Sequence, residues 1–334
     1  MKTLGISMIV RNESEVIEKC LETIKDADEI VICDTGSEDN TIEICKRYTD
    51  KIYTDYVWQD DFAEARNYSL SKCTTDYVLI IDADEQLRDS IKGIKHILNG
   101  FMSPDNKLPY MGMLFDVKTE IELIESCRVL RRVPEIKWEG AVHNILTLNG
   151  SNEQMKARCY KTKFFVNADY SPAHMKDPDR SMRILVKQLE IDPLNTRYMY
   201  YLSREYISRR MDPANKDKVE EYLLLIISLL EQYESICFYE DWTNELADAL
   251  YCLALAYVEM AHLQQNYSWW YKGVTAAVKS FMVLPSYKAP AQFMAAAMLE
   301  MPRGQKYHAA HEFWKFVASK CNNAGVLQIR EQKK

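Results

Sequence analysis

The stretch that decides the fold is Tyr77-Val78-Leu79-Ile80-Ile81-Asp82-Ala83-Asp84-Glu85. An unbroken apolar run of this length reads as a strand buried on both faces. It delivers Asp82 and Asp84 at its carboxyl end. If the extended backbone continues, the period of two puts both carboxylates on the same side. In parallel α/β sheets, ligands collect at that edge. Asp82, Asp84 and Glu85 repel one another unless a cation neutralises them. Mg2+ or Mn2+ is the natural choice, because hard divalent ions prefer oxygen ligands. Such an ion would hold a diphosphate and stabilise the charge that grows on it as it leaves. The bland alternative is a solvated acidic turn.

Outward from this stretch the first half of the chain alternates strand and helix. Leu4 to Val10, Glu29 to Cys33 and Lys51 to Tyr56 read as strands. Glu13 to Lys25 and Asp61 to Ser71 read as helices, with a short helix between them around Ile42 to Tyr48. Crossovers of this length imply a mainly parallel sheet. After Tyr110 the pattern is strand-rich, at Tyr110 to Val117, Cys127 to Arg131 and Lys161 to Val166. The character changes near Pro172. Asp177-Pro178 reads as an N-cap followed by proline at the first helical position, and only helical periodicity follows. Tyr200-Tyr201-Leu202-Ser203-Arg204-Glu205-Tyr206 resembles Tyr251-Cys252-Leu253-Ala254-Leu255-Ala256-Tyr257. Small residues beside large aromatics at helical spacing suit stacked helix pairs. A plain helical bundle is the alternative.

The 334 residues suffice for two domains. A composition of 47% hydrophobic and 27% charged residues is that of a globular protein with a core. A net charge of −7 argues against a surface built throughout for nucleic acid. No apolar run reaches the roughly 18–20 residues of a membrane span. The longest, Leu223 to Leu230, reads as a buried helix. Met1-Lys2-Thr3-Leu4 leads directly into a strand without a signal-peptide cleavage site, so a cytoplasmic protein is expected. The nine cysteines contain no Cys-x-x-Cys pair and read as buried free thiols.

Three further clusters could carry chemistry. Asp34, followed by Thr35-Gly36-Ser37-Glu38-Asp39, ends a strand where an acid could accept hydrogen bonds from a base or ribose. Helix capping by Ser37 or Asp39 is compatible with that role. Asp60-Asp61-Phe62-Ala63-Glu64-Ala65-Arg66-Asn67 reads as a helix start with acids in its first turn. Trp138-Glu139-Gly140-Ala141-Val142-His143-Asn144 holds a histidine among apolar residues, which by itself reads as structural.

In this order, these clusters resemble the family 2 glycosyltransferases of GT-A fold, in particular the subgroup with a C-terminal tetratricopeptide-like helical region that includes bacteriocin S-glycosyltransferases. The resemblance runs through Ser7-Met8-Ile9-Val10-Arg11-Asn12-Glu13, Glu29 to Asp39, Asp61 to Asn67, Asp82-Ala83-Asp84-Glu85, and Arg128 to Arg132 followed by Trp138 to His143. It covers about the first 145 residues. It implies an α/β GT-A domain, Rossmann-like with a mainly parallel sheet, over residues 1–175, and an all-α tetratricopeptide-like domain over 176–334. It implies an inverting, metal-dependent transfer from a nucleotide-sugar, usually a UDP-sugar. Val10, Asn12 and Glu13 would line the nucleotide pocket. Asp34 would contact the base, and Arg66 the base or diphosphate. Asp82 and Ala83 would face ribose and donor sugar. Asp84 would bind Mn2+ or Mg2+, with His143 approaching from the far side. The acceptor is open between protein, peptide and glycan, and the helical domain is a surface through which a homo-oligomer could form.

Two positions depart from the family pattern. Asn144 stands where a glutamate often follows the histidine, and Asn167 where a histidine often precedes the helical half, although His174 lies nearby. An inverting transfer needs a carboxylate to take the acceptor's proton. Glu139 is the first candidate for that base and Asp169 the second. A haloacid-dehalogenase-like phosphatase would also place Asp-x-Asp after an apolar strand, but normally its first, and with threonine or valine where this chain has Gln86. A sugar-nucleotide pyrophosphorylase would need a glycine-rich basic loop in place of Arg11-Asn12-Glu13-Ser14. A non-enzymatic helical-repeat scaffold would bind no nucleotide with metal.

Overall fold

The computed structural model describes residues 1–100, 110–119, 123–168, 176–237, 243–300 and 308–321. The chain divides into two compact units, Met1–Ile184 and Leu185–Lys334.

The first unit is built on an eight-stranded sheet. Strands β1 (Leu4–Val10), β2 (Glu29–Asp34), β3 (Ile52–Tyr53) and β4 (Tyr77–Ile80) run parallel in the order β3-β2-β1-β4. All of β2 and β4 and nearly all of β1 are buried, as the continuous apolar runs require. Helices α1 (Ile17–Ile24), α2 (Thr41–Cys45) and α3 (Phe62–Ser71) make the crossovers. Ile17, Cys20, Leu21 and Ile24 form the buried face of α1. This helix starts later than the expected Glu13, because the N–H groups of Val16 and Ile17 both donate to the Glu13 carbonyl at 3.0 Å and turn the chain first. Strand β3 has only two residues instead of the expected six, and its side chains are half-buried at the sheet edge.

Beyond β4 the sheet turns mixed. Strand β7 (Leu123–Arg131) is antiparallel to β4 and to β6 (Gly112–Lys118). Strand β10 (Cys159–Ala168) is parallel to β6, and the short β5 (Glu85–Leu87) closes the row antiparallel to β10. The strand-rich segment thus extends the same sheet. Helix α4 (Ile91–Gly100), helix α5 (Asn152–Ala157) and a separate hairpin of β8 (Ile136–Glu139) and β9 (Ile145–Leu148) were not apparent from periodicity.

In the second unit, α6 (Arg180–Ile191), which begins at the end of the first unit, leads into α7 (Thr196–Arg210), α8 (Val219–Ile236), α9 (Thr243–Gln264), α10 (Tyr267–Val283), α11 (Lys288–Glu300) and α12 (His308–Lys320). From α7 to α12, each helix packs on its sequence neighbours. Gly273 lets α10 approach α9 closely, since a Cβ there would stand 2.8 Å from Val258 and 3.0 Å from the Ala254 carbonyl. The repeated tyrosine segments fall on α7 and α9 and meet at Asp248, which is 2% exposed. Its carboxylate accepts from Tyr200 at 2.8 Å, Arg204 at 3.2 Å and Tyr287 at 3.2 Å. The Leu223–Leu230 run lies on α8, but Leu224 and Leu225 are exposed, so the helix is amphipathic instead of fully buried. Among the described residues one helix, α9, is long and apolar enough to cross a membrane by length and composition, and 67% of its most apolar window is buried inside the protein.

Candidate active site at the strand edge

The carboxyl ends of β1, β2 and β4 open into a cavity of about 360 Å3. Asp82 and Asp84 both line it, for a different reason from the one the sequence suggested. The extended backbone ends at Ile80, and the Glu85 N–H donates to the Asp82 carbonyl at 3.0 Å, closing a turn over the motif. The turn, not strand alternation, brings the two aspartates to one cavity. Ala83 between them is buried and also contributes to the wall.

The third acid of the motif is not part of this cluster. Glu85 is turned inward, 4% exposed. Its carboxylate accepts from both terminal nitrogens of Arg128, at 3.0 and 2.6 Å, and from the Asp82 N–H at 2.9 Å. Burial pushes its pKa up to about 7; Arg128 opposes the rise, and the Asp82 and Asp84 charges add to it. The cation that relieves the three-acid repulsion is therefore partly supplied by the protein, from β7.

Two loops form the cavity's opposite rim and are stitched together. Asn12 sits at φ 57°, a left-handed position that asparagine tolerates. Its N–H donates to Ser37 Oγ at 3.0 Å, and its side-chain oxygen accepts from the Glu38 N–H at 2.7 Å. The Glu13 N–H donates to Thr41 Oγ1 at 2.8 Å and the Ser14 N–H to Asp39 at 3.1 Å. Burial tends to raise the Asp39 pKa, but the hydrogen bonds from Ser14 and Thr41 prevail and hold it at about 2. Asp34 is 6% exposed and accepts from the N–H groups of Gly36 and Ser37 at 3.1 Å. It closes the turn after β2 and is not among the residues that line the cavity. Its neighbour Thr35 is.

Helix α3 holds the remaining wall. Asp61 caps it, accepting from the Glu64 N–H at 2.8 Å. Ser69 Oγ lies 2.8 Å from Ser7 Oγ and pins the helix to β1. Arg66 donates to both carboxylate oxygens of Asp82, at 2.9 and 3.2 Å, and its guanidinium lies 5.2 Å from the centre of the Trp138 ring. Asn67 latches the helix to β8: its amide donates to the Trp138 carbonyl at 2.8 Å and accepts from the Trp138 N–H at 2.9 Å. The Arg66-Asn67 pair thus joins three distant segments, and one-dimensional spacing could not show it.

The residues chosen for the base and the far side of the metal are placed differently. Glu139 ends strand β8 instead of lying on a loop, and its carboxylate accepts from Thr147 across the hairpin at 3.0 Å. It lines a separate hollow with Pro134, Lys137 and Asn149. His143 is exposed, at φ 49°, in the turn between β8 and β9. That turn is tied to the cavity's edge by the Phe62 N–H, which donates to the Ala141 carbonyl at 2.8 Å. Asp169 and His174 lie outside the described residues.

Other lining residues were missed: Arg11, Trp58, Phe62, Lys176, Asp177 and Arg180. Trp58 and Phe62 meet edge to face at 4.8 Å, and the Arg180 guanidinium stands 5.1 Å from the Phe62 ring centre. Burial lowers the Arg180 pKa; Asp177 opposes this and Arg11 adds to it. Asp177 is not the cap of α6. That helix begins at Arg180, and the Asp177 carboxylate is held by Arg183 through two bonds of 2.7 Å. The change to helical composition at this point was visible, but nothing in it marked Lys176 and Arg180 as cavity residues.

Residues 6–100 match the family model described as Glycosyl transferase family 2. Over those residues the chain is similar to the family 2 glycosyltransferases. Over 216 residues it is 26% identical to the SPbeta prophage-derived glycosyltransferase SunS of Bacillus subtilis, covering 61% of this chain and 49% of that one. Over 89 residues it is 43% identical to a TPR repeat-containing protein of Synechococcus elongatus, covering 26% and 22% of the two chains. S. aureus TarS 1–349 superposes with a TM-score of 0.43 at 14% identity over 79% of this chain and 92% of that one. The chain spans about half or less of the length of these curated relatives.

The oxygen ligands at this cavity decide whether a divalent cation fits there. Among the described residues, no group of three or more His, Cys, Asp or Glu side chains converges to hold a metal. Asp82 and Asp84 face the cavity, Asp82 already engaged by Arg66. One or two carboxylates with substrate phosphates and water are the usual protein share for Mg2+. The residues therefore fit an ion held jointly with a diphosphate and do not form a complete protein cage.

Proposed function

We propose that the family 2 domain transfers a sugar from a nucleotide-sugar, with a UDP-sugar as donor, and that the cavity around Asp82 and Asp84 is the donor site. The observation that carries this is the pairing of charges in one cavity. Asp82 and Asp84 stand beside Arg66, Arg180 and Lys176 at the carboxyl edge of a parallel sheet. Carboxylates suit a hard cation and guanidinium groups suit phosphate oxygens. Asp84, with Asp82, would hold Mn2+ or Mg2+, which supplies charge stabilisation for the departing diphosphate. Arg66 and Arg180 orient that diphosphate. Val10, Asn12 and Glu13 border the nucleotide, and Asp34 acts by shaping the turn that presents Thr35. His143 is not needed in this arrangement.

We further infer a single inverting displacement, in which the acceptor's proton passes to a base. Glu139 is poorly placed for that step, because its carboxylate is held by Thr147 in another hollow. The proposed division of labour gives the donor to residues 1–175 together with Lys176, Asp177 and Arg180. The helices that follow receive a protein, peptide or glycan acceptor, or a second copy of the chain. Stacked helices offer an extended surface suited to such partners. A cytoplasmic setting fits nine cysteines of which none is in a disulfide. Calorimetry with UDP tests the donor site: Mn2+ should enhance binding, and Asp84→Ala should remove that enhancement. Unchanged metal-supported affinity in the folded variant would sink the assignment.

A further inference from the structure

Away from the acidic cavity, two cysteines meet across a strand. Cys127 on β7 and Cys159 on β10 flank β6, and their sulfurs stand 3.5 Å apart. They meet because the intervening strand carries Gly112: a Cβ there would lie 2.8 Å from the Cys127 sulfur and 3.1 Å from Cε of Met155. The glycine leaves room that the Val129 carbonyl oxygen, the Cys127 sulfur and the Met155 methyl group occupy. Both cysteines are partly exposed, whereas Met155 is buried. Cys127 Sγ lies within reach of the Val129 carbonyl (3.5 Å), and Cys159 Sγ within reach of both the Met155 carbonyl (3.2 Å) and Cys127 Sγ (3.5 Å).

We propose that Cys127 and Cys159, with Met155 beside them, form a binding site for a single thiophilic ion, a soft metal or a trivalent arsenical. Soft cations select thiolate and thioether sulfur. A direct disulfide is the poorer fit. The two backbones are separated by a whole strand, and adjacent strands stand about 4.8 Å apart. A disulfide requires Cα atoms roughly 4.4–6.8 Å apart, so S–S closure would draw two outer strands together across β6. A bridging ion needs no such movement, because it keeps the sulfurs apart. On binding a divalent soft ion, each S–H bond breaks, both protons pass to water, and two metal–sulfur bonds form. With an arsenoxide, two As–S bonds form and the arsenic oxygen leaves as water with the two thiol protons. The remaining cysteines serve as internal controls, and the site is independent of the proposed donor chemistry.

Phenylarsine oxide added to the folded full chain tests this. Intact mass should show one phenylarsine adduct per chain, formed with loss of one water. Peptide mapping after alkylation should find Cys127 and Cys159 as the protected pair. Cys127→Ser and Cys159→Ser should each weaken capture by about a hundredfold or more, since one thiol loses the effective concentration of the other. Cys237→Ser should leave it unchanged. No adduct on the unsubstituted chain, or an adduct mapped to other cysteines, overturns the site; the mapping gives this answer even where a serine variant does not fold.

Discussion

The Glu85–Arg128 pair sets up a pH-dependent prediction. In Arg128→Met the Glu85 carboxyl loses both guanidinium bonds and the cation that makes them, while Asp82 and Asp84 remain close. The two side chains are 13% and 5% exposed, so solvent replaces little of that interaction. An unfolded glutamate titrates near 4.3, and in the fold burial has already raised Glu85 to about 7. A carboxyl with a raised pKa binds more protons when folded, so this group's contribution to stability declines as pH rises from about 4.3 to about 7. Without Arg128 its folded pKa rises further. Near pH 6 the variant therefore keeps Glu85 as a neutral acid and loses hydrogen bonds, about 1–2 kcal/mol. Near pH 8.5 it must bury an unpaired charge or retain a proton against the solvent, and the loss should approach the ~3–5 kcal/mol of a broken buried ion pair. Urea unfolding of both proteins at the two pH values, followed by tryptophan fluorescence, measures the difference. The double variant Glu85→Gln, Arg128→Met should recover most of it, because a neutral amide needs no counterion. Equal destabilisation at both pH values, or a double variant no more stable than the single one, would refute this reasoning.

Two further outcomes follow from the same geometry. Asn67→Ala removes both bonds to the Trp138 backbone. It should cost about 1–3 kcal/mol in urea unfolding and reduce UDP affinity through Arg66; an unchanged midpoint would mean that the latch contributes nothing. Glu139→Gln should leave kcat within about threefold of the parent, where a general base would cost a hundredfold or more. A loss of that size in a donor-saturated assay would restore Glu139 as the base.

Much of the sheet was legible because its strands carry buried apolar runs, and burial on both faces leaves a strong mark in sequence. Strand β3 was over-read because it sits half-buried at the edge, where apolar residues do not require long pairing. The β8–β9 hairpin was missed because its four-residue strands carry little periodicity. At the site, the expectation that Asp82 and Asp84 face one side holds only in that both line one cavity, and a turn instead of strand alternation brings them there. Glu85 shows the deeper limit: three acids in a row look alike, and only the position of Arg128, 43 residues later, assigns one of them to the interior. The same limit hid Lys176 and Arg180, whose approach to the cavity comes from tertiary packing.

We propose that Asp82 and Asp84 mark a nucleotide-sugar site served by a divalent ion. This is tested most directly by offering the full chain a panel of UDP-, GDP- and dTDP-sugars with Mn2+ and measuring release of the nucleoside diphosphate without acceptor. Slow hydrolysis of at least one UDP-sugar is expected, abolished by chelation and by Asp84→Asn in a protein that still folds. Hydrolysis of none of the panel, or release that persists undiminished in Asp84→Asn, would contradict it.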